Sequence, residues 1–529
     1  MPASTDSSVK PAPQSLMNTR RRSLLRTAAV LIAIILALFL ALGNLTAYPI
    51  TWFDEGSHLH VPKTLVRFGV YADYSSEGFR YYGPTIGVGP TVILPIAAAF
   101  WLFGIGLLQA RLVMALYLLA TIFAFYHLAN VMGGRRFAWV ATILLVTCRS
   151  VALLSYGRQV LGEVPGFFFL VAGLALWFAR WEKAGWRRLL VVGLLMGLAV
   201  VTKYQYLLFV APALILAWLA NMVYYRSAPQ RVFLVPGVVA AACFGLWQVY
   251  LVLYLGPATA GENLTALREA TAGAAMAFSP HLMQESLKVL FSFPTYLGSL
   301  LPALLYGVLL VLPRKPKEQQ WGVLLLLVMT NLVWYVLASV GWWRYAFLGL
   351  GLASLFVARF FHDFTNGFRM AWTQLKRALR EGSFGLNAEA LSWVMLIWLA
   401  VMILFPLAET VSEIVSPGFS APQAMADYMN ENISQDMLVE TWEPEMGFLT
   451  DHNYHFPPAE LLAVAVSQAS LGGPPVSNAY DFVRAEQPAY VLVGPFGRGV
   501  DLYPADLLAS QYRLVTEVGG YELYELAKD

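Results

Sequence analysis

Residues 27–56 read TAAVLIAIILALFLALGNLTAYPITWFDEG. The first 22 of them, Thr27 to Tyr48, carry no charge and are mostly apolar. About 20 such residues make one helical crossing of a bilayer. The chain then reads Pro49-Ile50-Thr51-Trp52-Phe53 and presents two carboxylates, Asp54 and Glu55, at the lipid–water boundary. Carboxylates at that depth are costly to hold and mark functional positions. This stretch sets the question for the rest of the chain: which other residues build a site around the acidic pair?

Composition agrees with a membrane protein. Of 529 residues, 58% are apolar and 13% charged, against about 25% charged in soluble domains. The net charge of +3 says little, because its distribution matters more than its sum, and no nucleic-acid partner is expected. The two cysteines, Cys148 and Cys243, lie in apolar segments, so a disulfide framework is not expected. Arg20-Arg21-Arg22 precede an apolar run too long for a usual signal peptide, which reads as an uncleaved anchor.

Outward from this anchor, apolar runs recur at 111–132, 137–156, 164–180, 189–202, 206–224, 231–254, 289–312, 321–341, 345–361 and 390–410, for eleven spans in all. The run 86–108 is long enough to cross but carries Gly87, Gly89, Pro90, Pro95 and Gly104. Charge argues that it is a re-entrant or interfacial segment and not a span. With the N-terminus inside and 86–108 not crossing, 21 of the 35 Lys and Arg face inward, which satisfies the positive-inside rule. The same topology puts the C-terminus outside. From residue 411 onward there are 17 Asp and Glu but 4 Lys and Arg, and strand-like runs at 437–439 and 490–493 alternate with a helix-like stretch at 458–468. The expected organisation is therefore a basic cytoplasmic tail (1–26), an all-α polytopic transmembrane domain (27–410) and a small acidic exoplasmic α/β domain (411–529). The inner stretch 364–380 has the pattern of a basic helix lying on anionic lipid, or of plain inner-loop charge.

Four outer hairpin ends then present polar groups at one depth. They are Asp54, Glu55, His58 and His60 with Lys63, Arg67, Asp73, Glu77 and Arg80; Arg149, Tyr156, Arg158 and Glu163; Lys203 to Tyr206; and Trp342-Trp343-Arg344-Tyr345. Each has a simpler reading: Asp54 as a helix cap three residues after Thr51, Arg158–Glu163 as a structural pair, Lys203, Arg344 and Arg80 as snorkelling cations, and the aromatics as an interfacial belt. Adjacent helical residues point about 100° apart, so Asp54 and Glu55 do not share a cavity, and Glu55 is expected to be a solvated or capping partner. Asp54 and His58, four apart, could hold a metal, but two ligands make no clear metal spacing, and no cofactor is firmly implied. One carboxylate as base with several cations for a phosphate suits transfer of a group from a lipid phosphate to a hydroxyl or amine.

The residues resemble the GT-C class of membrane glycosyltransferases, in particular the protein O-mannosyltransferase and lipid A aminoarabinose transferase group. The resemblance is carried by Trp52-Phe53-Asp54-Glu55, Phe103-Gly104-Ile105-Gly106 with Arg111, Ser155-Tyr156-Gly157-Arg158 with Glu163, the stretch Gly197 to Lys203, and Trp343-Arg344-Tyr345. It covers residues 27–410. It implies an inverting transferase that uses a polyprenyl-phosphate sugar on the outer face, helices lying along the membrane in the first outer loop, Asp54 as base, and Glu163 in the place of a second acid. Where aminoarabinose transferases carry a Glu-Lys pair before a Pro, this chain reads Arg80-Tyr81-Tyr82-Gly83-Pro84.

The expected function is transfer of a monosaccharide, hexose or pentose, to a glycan, lipid or protein acceptor outside the membrane, which for a bacterial cell means the inner membrane. Asp54 and Glu55 are the catalytic candidates. Arg158, Lys203 and Arg344, in that order, are the expected phosphate contacts, with Glu163 positioning Arg158 or the acceptor and with Arg80 and Tyr345 as further substrate contacts. A lipid-linked sugar flippase would need polar groups at several depths, whereas the inner halves of these spans are mostly clean. A catalytically silent scaffold is the third alternative.

Overall fold

The computed structural model describes residues 14–81, 87–368 and 388–527. Residues 27–42 of the expected anchor lie in α1 (Gln14–Leu42), which ends six residues before Tyr48; α2 (Phe53–Phe68), the hairpin β1 (Asp73–Ser75) and β2 (Gly78–Arg80), and α3 (Pro90–Phe103) follow. The bundle continues as α4 (Leu107–Thr147), α5 (Leu153–Arg158), α6 (Glu163–Ala179), α7 (Trp186–Thr202), α8 (Gln205–Ala220), α9 (Arg231–Leu255), α10 (Pro257–Ala275), α11 (Pro280–Leu290), α12 (Leu300–Leu310), α13 (Pro316–Ala338), α14 (Phe347–Phe364) and α15 (Ala388–Val415).

Six helical stretches among the described residues are long and apolar enough to cross a membrane: 107–147, 205–225, 231–255, 316–338, 343–364 and 390–415. Shorter apolar helices accompany them, including Val30–Leu42, Glu163–Ala179 and Leu300–Leu310. Three expected spans are drawn differently. The runs 111–132 and 137–156 join as α4, which is kinked at Gly134, with φ of 80°, just before Arg135-Arg136. The second arm stops at Thr147, and α5 starts afresh after Ala152, which has positive φ. The run 289–312 is not one helix either. It is cut by the turn Thr295–Gly298, where Tyr296 and Leu297 adopt positive φ. Most of the stretch read as a basic surface helix, 364–380, lies outside the described residues.

The segment 86–108 forms α3, with Pro90 at its first turn and 14 residues in length. At about 1.5 Å per residue that is roughly 21 Å, short of a hydrocarbon core of about 30 Å. It packs side-on: Val92, Ile93, Ile96 and Phe100 share one apolar cluster with Leu59 and Val61 of α2, Met114 of α4 and Phe448 from the C-terminal unit.

That unit comprises α16 (Ala421–Asn432), β3 (Leu438–Thr441), α17 (Pro444–Leu449), β4 (Asn453–His455), α18 (Leu461–Leu471), α19 (Phe482–Glu486), β5 (Tyr490–Val493), α20 (Pro495–Gly499), α21 (Ala505–Gln511), β6 (Tyr512–Val518) and β7 (Tyr521–Leu526). Its five strands run in the order β4-β3-β5-β7-β6. The first three are parallel, with Val439 opposite Tyr490; β7 adds antiparallel to β5, and β6 antiparallel to β7. Buried Val439, Val491, Leu492 and Leu523 give the sheet its core on both faces.

The unit is docked along α2. Gly56 has no side chain because the backbone of Glu445 occupies that space: a Cβ there would sit 2.2 Å from the Glu445 nitrogen. Phe53 packs on Phe496 at 3.9 Å between ring centres. His60 Nε2 lies 2.7 Å from the Pro444 carbonyl. Lys63 donates to the carbonyls of Gly447 and Thr450 at 2.8 and 2.9 Å, and so places a cation on the C-terminal end of α17.

Candidate active site

Helix α2 begins after an extended Trp52, and no side chain caps it. Thr51 does not cap either, since its hydroxyl accepts from Arg111 at 3.2 Å. Asp54 and Glu55 both sit in the first turn, where the helix dipole favours negative charge. There the two part company.

Glu55 turns into the bundle. The expectation of a solvated or capping role is wrong: its side chain and that of Arg111 are both 0% exposed. Arg111 grips it with two parallel bonds, Nε to Oε1 at 2.8 Å and Nη2 to Oε2 at 2.5 Å. The same guanidinium donates to the carbonyls of Leu45 and Thr46, and Glu55 also accepts from the Val160 N–H at 3.2 Å. Four pieces of chain are tied at one point: the exit of α1, α2, α4 and the segment after α5.

Asp54 faces outward from this lock and pairs with Arg344. These side chains keep 18% and 16% of their surface exposed. The Arg344 guanidinium lies 5.6, 5.2 and 5.7 Å from the ring centres of Trp52, Trp342 and Tyr345. Three aromatic faces hold the cation beside the carboxylate in reach of solvent. Tyr345 itself is buried and meets the site through its ring.

One turn along α2, His58 Nδ1 bonds the Val160 carbonyl at 2.7 Å. Burial lowers its pKa to about 4, so the ring is neutral at physiological pH. Lys203 and Glu163 are among the charges that act on it. These two pair with each other, Lys203 at the end of α7 and Glu163 at the start of α6. Glu163 Oε2 is buried with no hydrogen-bond partner among the described residues. Asp54 and His58 gather no third metal ligand among the described residues.

The other expected contacts lie elsewhere. Arg158 is fully buried, and its guanidinium donates to the carbonyls of Leu40, Gly43 and Tyr48. It fastens the end of α1 and offers no free face to a phosphate. Glu163 accordingly positions Lys203, not Arg158. Arg80 lies 3.6 Å from Asp73 and over the Phe456 ring, at the hairpin's contact with the C-terminal unit. Arg111, Trp52 and Trp342 had no catalytic or substrate role in the sequence reading. Trp52 two residues before Asp54 and Trp342 two residues before Arg344 were the available signals.

A family model described as dolichyl-phosphate-mannose-protein mannosyltransferase matches residues 88–250. The matched stretch includes Glu163 and Lys203 but neither Asp54 nor Arg344. The structure of ArnT from Cupriavidus metallidurans bound to undecaprenyl phosphate superposes with a TM-score of 0.63 at 15% identity, covering 94% of this chain and 98% of that one. The archaeal oligosaccharyltransferase AglB from Archaeoglobus fulgidus, in complex with an inhibitory peptide and a dolichol-phosphate, matches at 0.56 and 12% identity, covering 96% and 75%. No curated protein sequence matches the chain. The chain has the GT-C fold of polytopic membrane glycosyltransferases, as the residues around Asp54 implied, with a small sheet-containing unit at its C-terminus.

Proposed function

We propose that the chain transfers a monosaccharide from a polyprenyl-phosphate donor to an acceptor on the outer face of the membrane, with inversion at the anomeric carbon and Asp54 as general base. The observation that carries this reading is the Asp54–Arg344 pair, partly open to solvent beside the sealed Glu55–Arg111 pair. A base held next to a cation suits a reaction in which a phosphate arrives and a hydroxyl loses its proton. The lipid phosphates seen with ArnT and AglB support a donor of that class.

In this mechanism the donor phosphate takes Arg344 from Asp54, which frees the carboxylate. The acceptor oxygen or nitrogen gives its proton to Asp54 and attacks the anomeric carbon from the face opposite the phosphate. The bond from the anomeric carbon to the phosphate oxygen breaks, and its electron pair leaves with the polyprenyl phosphate. Arg344 and Lys203 offset the charge that develops on that group. Glu163 holds Lys203 and presents its free oxygen to a sugar or acceptor hydroxyl. Glu55, Arg111 and Arg158 hold the frame. The tail lies inside and the C-terminal unit outside, as the inner basic residues support.

Purified protein incubated with a set of labelled polyprenyl-phosphate sugars and membrane-derived acceptors should release polyprenyl phosphate from one of them. A folded protein that releases none, under conditions where it binds polyprenyl phosphate, would overturn the reading. Reporter fusions after Gly134 should signal inside and fusions after Gly256 outside; reversed signals would take the site off the outer face.

A further inference from the structure

The tip of the β1–β2 hairpin carries Glu77, and this tip lies against the edge strand β4, where the Ser76 N–H donates to the Tyr454 carbonyl at 2.7 Å. The next residue on β4 is His455, whose side chain is 4% exposed. Its Nδ1 bonds Glu440, the residue opposite it on β3. Glu440 is itself sealed, and the hydroxyls of Tyr480 and Tyr503 each donate to its Oε1 at 3.3 Å. The carboxylate behind Nδ1 holds the imidazole in one orientation and favours the tautomer that leaves Nε2 free to bind a cation. Its Nε2 lone pair points away from the sheet. There it meets Glu77 Oε1 at 3.8 Å and Glu486 Oε1, from α19, at 3.6 Å. One ligand atom from each of the three residues lies within 4.8 Å of the other two.

A lone pair and two carboxylates facing one another repel unless a cation stands between them. The separations are too long for direct hydrogen bonds. They are close to those of ligands that share a metal ion, since bonds of about 2.0–2.2 Å from zinc to nitrogen and oxygen set ligands roughly 3.3 Å apart. A buried carboxylate behind the second ring nitrogen is the usual support of a metal-bound histidine. We propose that His455 Nε2, Glu77 and Glu486 form a binding site for a divalent transition cation of the Zn²⁺ type, with Glu440 as the residue that positions His455. One imidazole and two carboxylates suit zinc or manganese better than calcium or magnesium. Glu77 is 60% exposed, so the site opens to solvent and leaves room for water as a further ligand. The bound ion clasps the first outer loop, which carries α2 and Asp54, to the C-terminal unit. The proposal stands independently of the glycosyl-transfer reading.

The competing occupant is a proton. Burial pulls the pKa of His455 down, but Glu440, Glu486 and Glu77 outweigh it and raise the value above that of a free histidine. The experiment distinguishes the two. The full-length protein, freed of any affinity tag and stripped with EDTA, is titrated at neutral pH with Zn²⁺ against a chromophoric chelator, and its melting temperature is followed in parallel. One Zn²⁺ per chain should bind with sub-micromolar affinity and raise the melting temperature. Glu77→Gln removes a charge from an exposed tip that fills no core, and should weaken binding at least tenfold without lowering the metal-free melting temperature. Glu440→Gln should weaken it about 10- to 100-fold. Absence of Zn²⁺ binding, equal affinity in wild type and Glu77→Gln, or a preference for Ca²⁺ over Zn²⁺ would each overturn the proposal. So would a metal-free protein that gains stability on mild acidification while binding no Zn²⁺, since a proton would then hold the clasp.

Discussion

Asp54 and Glu55 are neighbours of the same charge in the same helical turn, yet the two sides of α2 put them to opposite uses. Behind the helix, Glu55 and Arg111 are sealed from water, and Glu55 is further satisfied by a backbone N–H. In front of it, Asp54 and Arg344 stay partly open, and the cation rests on aromatic faces that a phosphate could share. A sealed pair has no spare bonding capacity and can only hold structure. An open pair can exchange partners, which is what a catalytic base and a phosphate contact must do. Breaking a buried pair by removing one partner is expensive because the other charge is left without water, so substitution should act on stability behind the helix and on rate in front of it.

The largest effect should come from Asp54→Asn. Removing a general base typically costs 10²–10⁴-fold in rate, about 3–5 kcal/mol of barrier. Sugar transfer should fall by at least that order, with yield, monodispersity and donor binding near wild type. An active Asp54→Asn enzyme would break the comparison at its front side.

Glu55→Gln should invert the pattern. The Arg111 guanidinium loses its charge partner in a sealed site, and the loss is about 3–5 kcal/mol of stability. Melting temperature in detergent and recovered yield should drop, while the folded fraction keeps most of its turnover per molecule. A stable but inactive Glu55→Gln protein would move Glu55 into the chemistry.

Arg344→Lys tests the open side more gently. Lysine keeps the charge but lacks the planar fork and stacks less well on the tryptophans. A donor KM raised about tenfold, equivalent to about 1.4 kcal/mol, with little change in melting temperature, is the expected result. A fall in melting temperature with unchanged KM would instead assign Arg344 a purely structural role.

The smallest effect concerns a third carboxylate, Glu443, which is buried with no cation paired to it among the described residues. It accepts the Gly497 N–H at 2.8 Å. Burial, with Glu445 beside it, raises its pKa well above the ordinary carboxylate range. The folded state then binds more protons than the unfolded one, and stability falls as pH rises above the unfolded value of about 4.3. Glu443→Gln keeps the acceptor oxygen and removes the ionisation. Its melting temperature should exceed that of wild type by a few degrees at about pH 8 and match it at about pH 5. Equal differences at both pH values would show that burial without a partner does not govern this group, and would weaken the argument from Glu55.

The class of fold and the divergence of Asp54 from Glu55 were legible along the chain. So were the strands at 438–441 and 490–493, because hydropathy and the angular step of a helix are local properties. The docking of the C-terminal unit was not. His60, Lys63 and Arg67 read as cations of the outer loop, but His60 meets the Pro444 carbonyl, Lys63 caps α17, and Arg67 pairs with Asp451, whose carboxyl is held down at about 2 chiefly by that hydrogen bond.

Pattern and spacing thus determined what kind of fold this is, since burial in lipid leaves apolar runs that any single segment displays. Only the tertiary structure decided which charge meets which. Arg111 reaches back 56 positions to Glu55, Arg344 reaches 290 to Asp54, and Arg158 spends itself on carbonyls 110 to 118 positions away. Glu77, His455 and Glu486 come together from distant parts of the chain. A guanidinium or an imidazole is committed by whatever acceptor lies within about 3 Å of it, and packing between distant segments sets that distance.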